Sequence, residues 1–477
     1  MTTTAIDTPA GRDAAGSTGL TITDPRTGEI LWTVPEAAPE AVNHALEVAR
    51  RAAPEWAAAP PADRGAALKA AARALDTAAQ ELAGLNASET GRPVEEALAG
   101  IGAAVSTLEQ YAELAPVHRG HSLRGNRLAA DYTVAEPRGV AVLLTPWNDP
   151  VAVACGLIGA ALATGNAVIH KPSERCPRLG EALGEVLAPA FPPGVFLTVS
   201  GGADVGALLS QSGVDVLAHV GSSASGARIA RAGALTGAHV LRENGGNDPL
   251  LVDRDVDPAW AAEQAAIGAF SNSGQICTAV ERIYVHRDIA EQFTAALQAE
   301  AARRNTGGSV APLVDGRMRD EVHAQVTEAL AAGATAVEGG GLPDGPGSFY
   351  PATVLVGCTG QMQVMAEETF GPVAPVQVVD SFDDGLRLAC SGKYGLAATV
   401  LSNNIAHIQQ AVAALPVGTV KVNAVFGGAP GGAAQPRGDS GAGFGYGPEL
   451  LDEFSQVKVV HIAAPPAPPA EQERPWA

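Results

Sequence analysis

An α/β fold with two doubly wound parallel sheets and a small β arm is what this 477-residue sequence predicts. Three features carry the prediction. Short apolar runs alternate with stretches of helical periodicity, as buried parallel strands joined by crossover helices do. The runs fall into two series with a dense polar patch between them, as expected of two units meeting at a ligand site. Two distant stretches also alternate like exposed strands.

Taken in order, residues 40–51, 62–82 and 94–111 have the spacing of amphipathic helices. Residues 128–136 alternate like an exposed strand. The apolar stretch 151–169 is long enough to raise a transmembrane span, but Thr164-Gly165-Asn166 breaks it, so it reads as a buried helix turning into a strand. Runs at 167–170, 195–199, 216–220 and 239–241 then read as buried parallel strands. A second series follows at 282–286, 335–337, 376–379, 398–401 and 419–422, and residues 456–462 again alternate. Residues 1–17 and the Pro-rich end from Ala463 read as mobile.

A net charge of −20 without runs of like charge argues against nucleic acid and anionic membrane surfaces as partners. Five cysteines without short paired spacing suggest neither a zinc site nor a disulfide framework, and point to a reducing, cytoplasmic setting. No metal site is expected. The first twenty residues are polar and carry no signal-peptide stretch.

Two patches carry the chemistry. The first is Phe270-Ser271-Asn272-Ser273-Gly274-Gln275-Ile276-Cys277. A thiol just after a Gly-Gln turn can sit in a tight, backbone-lined pocket, although a lone Cys reads equally as a small buried hydrophobe. The second is Glu243-Asn244-Gly245-Gly246-Asn247-Asp248-Pro249, where two glycines let backbone and ligand approach a carboxylate closely. A nucleophile and a base are the minimum for covalent catalysis, and only the fold can bring these two together. For phosphate, Gly221-Ser222-Ser223-Ala224-Ser225-Gly226 follows a strand and opens a helix. Gly441, Gly443, Gly445 and Gly447 fail the dinucleotide fingerprint, because Tyr446 stands where its last glycine is required.

These patches, at this spacing, resemble the aldehyde dehydrogenase superfamily. The first matches every fixed position of its F-x-N-x-G-Q-x-C motif, and the second matches E-L-G-G-K in part. The likeness begins at Asp24-Pro25-Arg26-Thr27-Gly28-Glu29 and continues through Thr145-Pro146-Trp147-Asn148 and Gly165–Glu174. It runs on through Glu367-Glu368-Thr369-Phe370-Gly371-Pro372-Val373 to Glu453-Phe454-Ser455-Gln456-Val457-Lys458. About nine tenths of the chain is covered, with the motifs in family order.

The resemblance implies a Rossmann-like NAD-binding domain over 1–120 and 137–244, and a catalytic domain over 245–445. It also implies an oligomerisation arm over 121–136 and 446–463, ahead of the tail at 464–477, and a homodimer or homotetramer. It implies Cys277 as nucleophile, Glu243 as general base, and Asn148 with the Cys277 N–H as oxyanion donors. Lys171 and Glu174 would hold the adenine ribose, and Glu368 the nicotinamide ribose with Phe370 packed nearby. Thr145, Pro146, Trp147, Ser173, Gly221, Ser222 and Gly245 would complete the cofactor site. A carboxylate at Glu174 suits a ribose hydroxyl and repels a 2′-phosphate, which favours NAD over NADP.

Departures from the family pattern concern the substrate side. Asp149 stands where an apolar residue is usual; it either lines the tunnel or caps the helix starting beside it. Gly156 replaces a frequent aromatic, and Leu157 and Gly445 replace the lysine and glutamate of a secondary proton relay. Phe270 is expected at the tunnel wall. The function implied is NAD(P)-dependent oxidation of an aldehyde to a carboxylic acid through a thiohemiacetal and a thioester. A CoA-acylating relative is the first rival, but such enzymes usually lack the glutamate at position 243. A silent binding or structural relative is the second, and would more plausibly have lost Cys277 or Asn148.

Overall fold

The structure is a computed structural model and describes residues 19–308, 310–427, 432–463 and 465. The expected mobile ends fall outside these residues, except Ala463, which closes a strand, and residue 465.

The first sheet has six strands in the order Gly441–Ala442, His239–Asn244, Val216–Gly221, Val140–Leu144, Ala167–Lys171 and Phe196–Thr198. All neighbours are parallel except the short closing strand, whose Gly441 pairs antiparallel with Glu243. The central strands are buried along their whole length because helices cover both faces. Leu108, Tyr111, Ile158 and Leu162 pack one face, and Val42, Ala49 and Leu209 the other. The apolar helix Pro150–Thr164 starts on a proline and stops at Gly165, whose φ of 99° ends the helix and turns the chain into the next strand.

The second sheet has seven strands, Thr335–Glu338, Thr353–Val356, Val373–Val379, Val280–His286, Asp248–Val252, Ala397–Leu401 and Thr419–Val422. It too is packed on both faces, by Phe293 and Leu297 on one side and Val322, Val326 and Leu386 on the other. One expectation is corrected here. The run at 335–337 is not a buried parallel strand but an antiparallel edge beside Thr353–Val356. The connection between the two carries no helix, so the chain has no crossover with which to return parallel.

The stretch 62–82 is likewise two helices, Pro61–Thr77 and Ala79–Thr90, broken at Ala78. There Thr77 gives its hydroxyl hydrogen to the Arg73 carbonyl, and the Ala78 N–H reaches both Ala74 and Leu75. A third, antiparallel sheet joins Ser122–Leu123, Ala129–Pro137 and Ser455–Ala463, and leaves Leu128, Val457, Val459 and Ile462 exposed.

Helix Pro61–Thr77 meets helix Val94–Leu114 at Gly65, where an added Cβ would stand 2.5 Å from the Ala112 carbonyl oxygen. Alanine would otherwise gain about 1 kcal/mol of helix propensity. The clash with backbone outweighs that gain, so Gly65→Ala should lower unfolding stability by about 1–3 kcal/mol in a denaturant titration.

Candidate active site

The chain passes from one sheet to the other in three residues. Strand His239–Asn244 ends the first sheet's parallel run, Gly245-Gly246-Asn247 cross, and Asp248–Val252 enters the second. Both glycines are sites of close approach, and backbone stands opposite the second. A Cβ on Gly245 would lie about 2 Å from the Glu368 carboxylate oxygens. One on Gly246 would lie 2.7 Å from Asp248 Oδ1 and 2.9 Å from the Cys277 carbonyl oxygen. Glu368 accepts the Gly246 N–H at 3.2 Å, so Glu243, Glu368 and Cys277 converge on this crossing.

Cys277 is held by a loop of unusual backbone. After helix Pro258–Phe270, Asn272, Ser273 and Gly274 take φ of 46°, 54° and 74° in succession. Two non-glycine residues in the left-handed region are strained, and surrounding bonds must hold them there. Ser273 Oγ donates to the Ala311 carbonyl at 2.6 Å, and Gln275 donates to the Asn272 and Pro312 carbonyls. Gln275 Oε1 also accepts the Val314 N–H at 2.9 Å. The glutamine of the motif is thus an anchor for the loop. Gly274 is needed because a Cβ would stand 2.1 Å from the Gly371 carbonyl oxygen. Asn148 reaches the same loop, donating from Nδ2 to the Gln275 carbonyl at 3.2 Å.

The electrostatics are dominated by acids with little access to water. Glu243 is half-buried, and burial pushes its carboxyl above the usual range. Cys277 remains partly accessible; burial, then the charges of Glu243, Asp248 and Glu368, push its thiol up, while Lys421 pulls it down. Burial also raises Glu368 well above a normal carboxyl and Asp248 to about 8.

Glu281, which the motifs do not reveal, is raised to about 7 by burial. It accepts the Thr369 and Phe370 N–H groups and the Asn247 amide. That ties the loop bearing Glu368 to the sheet crossing. Phe370, at φ 52°, places its ring edge-on to Trp147 at 5.6 Å, and Arg175 stands over the Trp147 ring.

A cleft of about 510 Å³ opens at the carboxyl ends of the first sheet's strands. Thr145, Lys171, Ser173 and Glu174 line it, with Lys171 Nζ 3.9 Å from Glu174. Gly221 and Ser222 are not in its wall; the Ser222 hydroxyl caps its own helix by accepting the Ser225 N–H. Ser225, Arg228 and Ile229 from that helix line the cleft instead.

His219, also missed, lies in the same wall, buried and with neither ring nitrogen hydrogen-bonded. Burial lowers it to about 4, so it is neutral. Its signal was available: a histidine inside an otherwise apolar strand at a carboxyl end. The volume, the ribose-suited carboxylate and the orphaned imidazole fit a nucleotide.

The substrate-side expectations separate. Asp149 precedes helix Pro150–Thr164 but makes no side-chain cap; its carboxylate pairs with Arg92 at 2.8 Å. Gly156 is buried with nothing within 4 Å of a would-be Cβ, which leaves room. Leu157 packs in the core. Gly445 abuts Glu243, where a Cβ would lie 2.2 Å from Oε2. Phe270 is placed in the core under Arg304 rather than at a wall, because its helix turns that face toward the second sheet.

The sequence model of the aldehyde dehydrogenase family matches residues 12–460. A betaine aldehyde dehydrogenase from Cereibacter sphaeroides is 34% identical over 477 residues, covering 96% of each chain. Among solved structures, betaine aldehyde dehydrogenase from Staphylococcus aureus with NAD+ superposes with a TM-score of 0.91 at 28% identity. It covers 96% of this chain and 94% of that one. The NAD+ complex of an aldehyde dehydrogenase from Bacillus cereus gives 0.90 at 31% identity, over 94% and 93% of the two chains.

The raised thiol sets the reactivity expected of the ligand-free protein. A thiol above its ordinary range is protonated at neutral pH, so alkylation of Cys277 by iodoacetamide should be slow there and climb as pH rises past the usual cysteine range. A rate already at its plateau at pH 7 would contradict the environment described.

Proposed function

Because this chain belongs to the aldehyde dehydrogenase family, in which an aldehyde is oxidised to a carboxylic acid with NAD, we propose that Cys277 is its nucleophile, Glu243 its general base and Asn148 its oxyanion donor. The observation that carries this is the convergence of Cys277 and Glu243 on the Gly245-Gly246 crossing, with Asn148 bonded to the Cys277 loop.

Cys277 gives its thiol proton to solvent water and adds to the aldehyde carbonyl as the thiolate, and charge builds on oxygen. One Asn148 N–H is engaged by the Gln275 carbonyl, which fixes the amide plane and leaves the second hydrogen for that oxygen. Bound NAD supplies the hydride acceptor. The Cys277 thioester is then hydrolysed by water that Glu243 deprotonates, and burial, by raising its carboxyl, makes it a stronger base than an exposed glutamate. With Gly445 beside it, Glu243 has no ionisable neighbour at that position, so its proton leaves through water.

We assign residues 137–244 with the leading helices to the cofactor domain and 245–445 to the catalytic domain. Lys171, Ser173 and Glu174 hold the adenosine side, and Glu368, with Gly245 and Phe370, the nicotinamide side. The exposed Leu128, Val457, Val459 and Ile462 support pairing of copies through the arm, as a homodimer or homotetramer. No helix among the described residues is long and apolar enough to cross a membrane. The five unpaired cysteines support a reducing, cytoplasmic setting.

A panel of aldehydes followed at the NADH absorbance band, with NAD and NADP in parallel, tests the activity. Cys277→Ala should abolish turnover while leaving NAD binding intact. Retained dehydrogenase activity would remove the cysteine from the mechanism. Where acylation does not need the same base, Glu243→Gln should release NADH in a burst of about one equivalent per site and then stall, because deacylation lacks it. A linear course at the wild-type rate would instead exclude Glu243.

A further inference from the structure

The charge available to a substrate is not that of Asp149, which is engaged by Arg92. Lys421 differs. It lies on strand Thr419–Val422, in register with Thr399, and is half-buried. It makes no hydrogen bond or ion pair among the described residues, and its ammonium stands 5.4 Å from the Phe426 ring centroid. Both the Cys277 thiol and the Asp248 carboxyl feel its charge. Asp248 forms no ion pair with it: Oδ1 accepts the Ala397 N–H, Oδ2 has no hydrogen-bond partner, and burial raises this carboxyl as it lowers the lysine.

Thr419 and Val420, which precede Lys421 on its strand, line a second cleft with Thr107, Gln110 and Tyr446, but Lys421 is not in that wall.

Building on the aldehyde oxidation derived above, we propose that Lys421 is a specificity-determining residue that selects aldehydes carrying an anionic group, a carboxylate or a phosphate, a few bonds from the carbonyl. A half-desolvated ammonium without a counter-ion gains more from an incoming anion than an exposed lysine would, and it repels a quaternary ammonium group. A cationic aldehyde would need aromatic faces or ionised carboxylates in its place.

The test compares butanal, its ω-carboxylated counterpart and its ω-trimethylammonium counterpart, with glyceraldehyde and its phosphate ester as a second pair. Wild-type kcat/KM should favour the carboxylated or phosphorylated member by roughly tenfold or more, chiefly through KM. Which pair shows the larger ratio distinguishes carboxylate from phosphate. Lys421→Met should bring the ratio near unity, and Lys421→Arg should preserve it. The same ranking in wild type and Lys421→Met, or a preference for the trimethylammonium aldehyde, overturns the assignment.

Inhibition of wild-type butanal oxidation supplies a readout independent of the variants' folding. A dicarboxylate should compete better than the monocarboxylate of equal length, and equal inhibition also overturns the proposal. Failure of the wild type to oxidise any of these aldehydes would overturn the activity itself.

Discussion

Everything at the reaction centre depends on a strip of chain with no side chains. At Gly245 and Gly246 the backbone passes between two sheets while a carboxylate closes on one side and the cysteine loop on the other. A β-carbon at Gly246 would meet the Cys277 backbone, and one at Gly245 would push the Glu368 carboxylate from its place. The same strip fixes where Glu243 and Asp248 fall, one at the end of a strand and one at the start of the next. Close packing there is therefore what turns two independent sheets into one site.

That packing concentrates acidity. Glu243, Asp248, Glu281 and Glu368 are all displaced toward their neutral forms by burial. Each would be costly as an isolated ionised group. Glu281 offsets the cost with three hydrogen bonds, and so becomes the clamp of the loop that carries Glu368 and Phe370. Burial, more than the charges of Glu243, Asp248 and Glu368, keeps the resting thiol protonated.

The linear order of residues exposed the fold class, most of the strands and the patches proposed to hold Cys277 and Glu243, because each of those patches is compact and glycine-marked. Local pattern could not expose what arises from strands laid side by side. Lys421 and Asp248 are far apart in sequence and meet only through the strand Ala397–Leu401 between them. Asp149 is matched by Arg92, which approaches from a helix-bounded loop with no motif of its own. Phe270 shows the converse: it belongs to the signature, yet helix orientation turns it into the core. The break at Ala78 and the antiparallel edge at Thr335–Glu338 were hidden because apolar period reports which face is buried, not where a helix stops or which way a strand runs.

The strand that carries Glu243 is closed by Gly441–Ala442, and the arm strand Ala129–Pro137 by Ser455–Ala463. Both closing segments lie after every other strand of their sheets. During synthesis on the ribosome the first sheet therefore keeps an open edge until residues 441–442 have emerged. A chain cut short ahead of them would keep the cysteine loop but carry an unpaired strand beside Glu243 and a bare β edge on the arm. Such a species is sticky as well as inactive, since the same hydrogen bonds cover the edge and frame the site.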